Sequence, residues 1–300
     1  MLFKTAVTAP QSATRLIVVF TDPDTLRDER IPSLGATITA LHGLADQSVA
    51  VVLWGNETRA EMELIQYNLC VRHPFVSEHG GGLFLPAGYL PEPPAGARAF
   101  AGYDVFDFGR SYHLVAAALH DVAKTLGIHV IGFSGMSVQD IASDCRLSLA
   151  RARLAALREY DEPFRIMDAN PAVQIRLFQA LRRAGLRCFT HEGYCHVTGV
   201  TDPTKSVRTL TSLYRQVFQE VVTVGLARDP GEIRLLQAVD IPVVVQSDFV
   251  DAASLLRRVP TARLINGCGP FGWGEAIWDL VNARSSTERK GYEIMPLRTA

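Results

Sequence analysis

Short continuous apolar runs alternate along this chain with segments whose apolar residues recur every three or four positions. Leu16–Phe20 and Val49–Leu53 are the first two runs, rich in β-branched residues and ending abruptly in polar ones. That pattern predicts strands buried on both faces of a parallel sheet. Val221–Leu226 and Ile241–Val245 repeat it near the other end. Ile38, Leu41 and Leu44 predict a helix after the first strand, interrupted by Gly35 and Gly43. Thr58 opens another through Leu69, with Met62, Ile65 and Leu69 on one face. Ser206–Val221 is an amphipathic helix whose apolar stripe is Val207, Leu210, Leu213, Tyr214, Val217 and Phe218. Ile233–Ala238, Ala252–Arg258 and Gly274–Val281 are shorter helical segments. Residues 1–14 read as a loose leader.

Between these two similar stretches the pattern changes. Pro86, Pro91, Pro93 and Pro94, with several glycines up to residue 102, mark a junction. Beyond it come a helix, Leu114–Leu126, stopped by Gly127, and a strand, His129–Phe133. A helix capped by Ser137 runs through Ile141, and an arginine-bearing helix, Ser148–Tyr160, carries Arg151, Arg153 and Arg158. Phe164–Met167 is extended, Ala172–Ala184 helical, and Leu186–Thr190 and Tyr194–Thr198 are strands. This order predicts an α+β insert within a larger α/β unit. The expected architecture is a Rossmann-like parallel-sheet core with an inserted α+β cap. Residues 1–92 form the first part of the core, 93–198 the cap and 199–300 the second part.

Composition narrows the function. At 48% hydrophobic and 20% charged, with a formal net charge of −1, the chain offers no bulk charge for nucleic acid or an acidic membrane. No apolar run reaches membrane-spanning length, and the first residues carry no long apolar segment of a signal peptide. Five scattered cysteines make no CxxC pair, which argues against a disulfide framework or a zinc site. A reduced cytoplasmic protein is the expectation.

The chemistry starts where the first strand ends, at Thr21-Asp22-Pro23-Asp24-Thr25. Ligands of open α/β sheets bind beyond the carboxyl ends of the strands. Two carboxylates there suit a nucleophile, a metal ligand or an acid/base. A polar turn with an aspartate cap is the plainer reading. Pro23 keeps Asp22 extended, which lets the strand geometry reach the first carboxylate. Gly80-Gly81-Gly82, after Glu78-His79, permits unusual backbone angles or close ligand approach.

Several stretches, taken in order, resemble the haloacid dehalogenase superfamily of phosphatases, and within it the mannosyl-3-phosphoglycerate phosphatase family. Phe20-Thr21-Asp22-Pro23-Asp24 is similar to that family's FTDLD, and Thr58-Arg59-Ala60-Glu61 to its TRAE. Phe75–Gly81 is similar to FIVENGG, and Arg158-Glu159-Tyr160-Asp161-Glu162 to REYDE of the cap. Gly225-Leu226 and Ala238–Pro242 flank the fourth motif as in the family, and Gly269-Pro270 with Gly272-Trp273 resembles its final segment. The resemblance implies that Asp22 attacks phosphorus to form an aspartyl-phosphate and that Asp24 protonates the leaving oxygen. It implies that Lys205 neutralises the phosphate and that Mg²⁺ is bound by Asp22, Asp24 and a fourth-motif carboxylate. The implied substrate is a phosphorylated sugar-glycerate or another small phosphomonoester. Glu159 and Tyr160 would face it from the cap, and His191 flanks a loop that carries a substrate-contacting arginine in the family.

The motifs also depart from the pattern. The glycine of DxDGT is absent from Asp22-Pro23-Asp24-Thr25. The hydroxyl residue of the second motif falls at Gly55, where only the backbone N–H and the amide of Asn56 are left to contact phosphate. Lys205 follows Asp202-Pro203-Thr204 in place of a compact DKG. Arg228 stands where the metal-binding aspartate belongs, which leaves Asp229 or Glu232 to reach the ion. Alternatively, the Arg228 guanidinium fills the pocket between Asp22 and Asp24. Two functions follow: a Mg²⁺-dependent phosphatase, or a catalytically impaired relative that serves as a phosphosugar-binding or protein-interaction module.

Overall fold

The computed structural model describes residues 15–26, 34–168, 170–191, 193–199, 202–246, 252–265 and 272–281. The leader and the Gly269-Pro270 segment lie outside these residues. In chain order the first stretch comprises β1 (Arg15–Thr21), α1 (Gly35–Ala45), β2 (Val49–Trp54), α2 (Arg59–Leu69), β3 (Phe75–Ser77), β4 (Gly82–Pro86), β5 (Arg98–Phe100) and β6 (Tyr103–Asp107). The middle stretch comprises α3 (Tyr112–Leu126), β7 (Val130–Gly132), α4 (Val138–Asp144), α5 (Leu149–Ala155), β8 (Asp161–Ile166), α6 (Pro171–Arg183), β9 (Arg187–His191) and β10 (Tyr194–Thr198). The last comprises α7 (Lys205–Val217), β11 (Glu220–Ala227), α8 (Ile233–Leu236), β12 (Ile241–Val245), α9 (Ala252–Arg258) and β13 (Arg263–Ile265), followed by a helix over 272–281. Among the described residues, no helix is long and apolar enough to cross a membrane.

The large sheet runs β13-β12-β11-β1-β2-β3-β4-β6-β5, parallel from β13 to β3 and antiparallel beyond. Its central strands are apolar on both faces because both faces are covered. Ile17 and Val19 of β1 join one core with Leu53, Phe84 and Trp273. Leu16, Val18 and Phe20 join the other, against Leu210 and Tyr214 of α7. Each fully buried side chain of this size contributes about 1.5–3 kcal/mol. β1 lies between β2 and β11, with Thr21 opposite Leu53 on one side and Leu226 on the other. The chain leaves β1 towards one edge of the sheet and returns on the other, so a crevice opens beyond Thr21.

The middle stretch forms a second, antiparallel sheet, β7-β8-β10-β9. α3 and α6 pack on it through Val115, Leu119, Leu177 and Leu181. α4 and α5 make a smaller cluster around Ile141 and Ala152. Asp161, the first residue of β8, pairs with Thr198, the last of β10.

Several elements differ from expectation, among them the helix expected over Ser206–Val221, which ends at Val217 before a strand begins at Glu220. Residues 98–107, assigned to the insert, extend the edge of the large sheet as β5 and β6. The helix expected over Ser148–Tyr160 ends at Ala155. Residues 159–161 turn their amides to buried Glu78, whose carboxylate accepts from the N–H groups of Glu159, Tyr160 and Asp161 at 2.8–2.9 Å. Those amides serve a partner in the other sheet, and a helix running through them would have taken them away.

Candidate active site

The floor of the crevice is acidic. Asp22 follows β1 directly, and a single 3₁₀ turn, Pro23–Leu26, carries Asp24 beside it. The Asp24 N–H donates to Asp22 Oδ1 at 2.8 Å. Two further carboxylates close in: Glu57 from the loop after β2 and Glu232 from the turn after β11. Burial, then the negative charges of Glu57, Glu232 and Asp24, raise the Asp22 carboxyl well above its ordinary range. Glu232 is buried and its carboxyl is pushed up to about 7 by desolvation. One of its oxygens accepts from the N–H groups of Arg228 and Asp229, at 2.8 and 2.9 Å. The other has no hydrogen-bond partner. These groups open on a cleft of ≈ 620 Å³ whose far wall comes from the second sheet and its helices, including Arg146, Arg151, Arg165, His191, Tyr194 and His196.

Gly55 shapes this floor by lacking a side chain. A Cβ there would lie 2.1 Å from Glu57 Oε2 and 3.1 Å from Asp22 Oδ2. The Glu57 carboxylate therefore occupies the space beside Asp22 that a side chain at position 55 would use. The Gly55 N–H, expected to be available to phosphate, donates instead to the Val76 carbonyl at 3.2 Å. Asn56 lines the cleft, and its carbonyl accepts from Arg158 Nη1 at 2.6 Å.

Other expected site residues are placed differently. Lys205 begins α7, is exposed, and holds its ammonium 5.2 Å from the centroid of the Phe108 ring, outside the set of residues lining the cleft. Arg228 does line the cleft, with Nη2 3.8 Å from Asp24 Oδ2. Asp229 faces the cleft but caps the local turn, accepting from the Gly231 N–H at 2.7 Å. Glu159 pairs with Arg59 at 2.9 Å, and buried Tyr160 donates its hydroxyl to Asp107; neither lines the cleft. The glycine run serves Tyr160: a Cβ on Gly81 or Gly82 would lie 2.5 Å from Tyr160 Cβ or 2.7 Å from Tyr160 Cε2. Arg158 lies on no solvated face; its side chain is 8% exposed and 3.7 Å from Asp161. His191 does reach the cleft wall.

Sequence reasoning missed Glu57. The only signal was its position, two residues past the expected second motif and directly before Thr58, whose side chain caps α2 reciprocally with Glu61.

A parallel sheet with an Asp-x-Asp pair at its central strand, facing an inserted sheet across a cleft, defines the class of haloacid dehalogenase-type phosphatases. The curated relatives agree. The chain is 35% identical over 272 residues to a glucosyl-3-phosphoglycerate/mannosyl-3-phosphoglycerate phosphatase of Methanococcoides burtonii, covering 90% of this chain and 98% of the relative. A phosphatase of the same name from Persephonella marina is 27% identical, with 89% and 97% covered. The fold matches a haloacid dehalogenase-like hydrolase from Bacteroides thetaiotaomicron with a TM-score of 0.61 at 12% identity, covering 89% and 99% of the two chains. No family model matches the sequence. The chain belongs to the glucosyl-3-phosphoglycerate/mannosyl-3-phosphoglycerate phosphatase family, a group of phosphomonoester hydrolases within that superfamily.

Proposed function

We propose that this protein hydrolyses the phosphate ester of a glucosyl- or mannosyl-3-phosphoglycerate, with Asp22 as nucleophile. The observation that carries the reading is the recessed Asp22 carboxylate at the end of β1, beside Asp24 and open to the cleft. The names of the curated relatives support the substrate class. A basic wall with Arg146, Arg151 and Arg165 suits the carboxylate of a glycerate.

An oxygen of Asp22 attacks phosphorus and the bond from phosphorus to the ester oxygen breaks. Asp24 gives its proton to the departing oxygen. Asp24, now a carboxylate, takes a proton from water as that water attacks the phosphoryl group. The phosphorus–Asp22 bond breaks, returning the Asp22 carboxylate and inorganic phosphate. Arg228, close to Asp24, supplies positive charge to the phosphoryl oxygens, the part assigned by resemblance to Lys205.

The donor set fits Mg²⁺. Crowded carboxylates and a buried Glu232 oxygen without a partner are what an oxygen-seeking divalent cation satisfies. Asp22 and Glu232 would hold it, with Glu57 alongside, whereas Asp229 is committed to its turn and Asp24 faces Arg228. Bound there, the ion would neutralise charge on the phosphoryl group. The second reading, a non-catalytic binding module, rested on the altered motifs; membership in a family of phosphatases favours hydrolysis. Phosphate release from both substrates, with Mg²⁺ and with EDTA, tests the proposal. Metal-dependent release by the wild type and none by Asp22→Asn is the expected result; equal release by both proteins would refute it.

A further inference from the structure

Three imidazoles and a carboxylate meet where the large sheet abuts the small one, apart from the acidic floor. His79 comes from the turn after β3, Asp161 from the start of β8 and His196 from β10, and all three are buried. One ligand-capable atom from each lies within 4.8 Å of the others. The His79 ring stands edge-on to His196 and His191, with centroids 5.1 and 5.3 Å away. Phe189 stacks on His196 and fixes its plane. His196 Nδ1 is 2.7 Å from Asp161 Oδ2.

This pairing leaves buried polar atoms unsatisfied. His79 Nε2 and Asp161 Oδ1 are both shut off from solvent and neither has a hydrogen-bond partner. Buried polar atoms are rarely left so, because their lost hydration is not returned. His79 is also held in the left-handed region, at φ 56°. A histidine there is uncommon, and the backbone sets its ring against the other sheet. An ion held by one atom from each residue would draw on side chains whose hydrogen-bonding capacity is still partly unused.

We propose that His79, Asp161 and His196 form a binding site for a divalent transition-metal ion of the Zn²⁺ type, joining the two sheets. Two imidazoles and a carboxylate are a donor set for Zn²⁺ and poorly suited to Mg²⁺, which seeks an oxygen shell. His191 and His196 line the cleft, which gives the ion a way in. Two cations oppose it. Arg158 Nη1 lies 3.7 Å from Asp161 Oδ2, and Arg187 covers the Phe189 ring. Arg158 is in turn engaged by the carbonyls of Asn56 and Ala155 and faces the Glu78 carboxylate. Asp161 attracts both arginines, Glu78 attracts Arg158, and Arg234 adds a third positive charge beside Arg187.

The test uses the full-length chain, stripped with EDTA and titrated with Zn²⁺ in saturating Mg²⁺, so that the acidic floor is already supplied. Equilibrium dialysis with elemental analysis should find one Zn²⁺ per chain in the wild type and in Asp22→Asn. His79→Asn, whose asparagine accepts the same backbone, should weaken binding at least about tenfold. Zn²⁺ should raise the melting temperature of the wild type and leave that of His79→Asn unchanged. Zn²⁺ binding that His79→Asn leaves intact, or no Zn²⁺ binding in the presence of Mg²⁺, overturns the proposal. Cobalt substitution reads the site without any mutation: intense visible bands of a low-coordinate, nitrogen-ligated ion support it, and only the weak spectrum of an all-oxygen octahedral ion contradicts it.

Discussion

The two walls of the cleft carry opposite chemistry. The core contributes carboxylates: Asp22, Asp24, Glu57 and Glu232. Burial raises the Asp22 and Glu232 carboxyls, and at Asp22 the neighbouring carboxylates add to it. The smaller sheet and its helices contribute Arg146, Arg151, Arg165, His191 and His196. A phosphorylated glycerate is anionic at both ends, and only the second wall attracts it unaided. Attack by a carboxylate on a phosphoryl group therefore depends on positive charge brought to the floor. Arg228 stands there already, and a divalent cation on Asp22 and Glu232 would complete it. Under the proposed function, the difference separates holding the substrate from cleaving it.

Substitutions on the acidic wall should act mainly on turnover. Asp22→Asn removes the proposed nucleophile and should lower kcat by about 10⁴-fold or more, with an unchanged circular dichroism spectrum. Asp24→Asn removes the proposed general acid and should lower kcat by about 10²–10⁴-fold, least for a substrate with a good leaving group such as an aryl phosphate. Arg228→Ala should cost about 10²-fold in kcat/KM. A loss confined to KM in either aspartate variant would break the division between the walls.

His73 supplies a control for the histidine-rich junction, because it is buried elsewhere in the fold with a hydroxyl partner. Its Nδ1 meets the Tyr89 hydroxyl at 2.9 Å, Tyr89 meets Tyr214, and burial lowers the His73 pKa to about 4. The unfolded chain takes up this proton near pH 6.5 and the folded one only near pH 4, so stability falls as the pH drops through that window. The loss should be on the order of 3 kcal/mol at its acid end. Denaturation of wild type and His73→Gln at pH 4.5 and 7 measures it; Zn²⁺ should leave the His73 contribution untouched. Smallest of all, Arg165→Ala should raise KM by about tenfold or less at unchanged kcat, since Arg165 is half-exposed and already paired with Asp144 at 2.8 Å.

The parallel core was legible because a strand covered on both faces must be a continuous apolar run, as β1 and β2 are. The Asp22–Asp24 pair followed from where such a run stops. β5 escaped notice because all three of its residues are exposed and carry no burial pattern. The end of α5 was hidden because residues 159–161 answer to Glu78, some 80 positions earlier, rather than to their neighbours. For the same reason the motif match put Tyr160 and Lys205 at the substrate, although packing against Gly81 and Phe108 decides where they point. Glu57 entered the site through space left by a missing side chain at Gly55, a relation between two residues that no spacing rule reports.

The central claim is that Asp22 carries the phosphoryl group. Its most direct test is rapid acid quenching of the wild type with glucosyl-3-phosphoglycerate and Mg²⁺, followed by peptide mass spectrometry. A phosphoryl adduct on the peptide containing Asp22, formed within the first turnover and absent from Asp22→Asn, is the predicted result. Phosphate release at full rate by Asp22→Asn, with no adduct on this peptide in either protein, would contradict it.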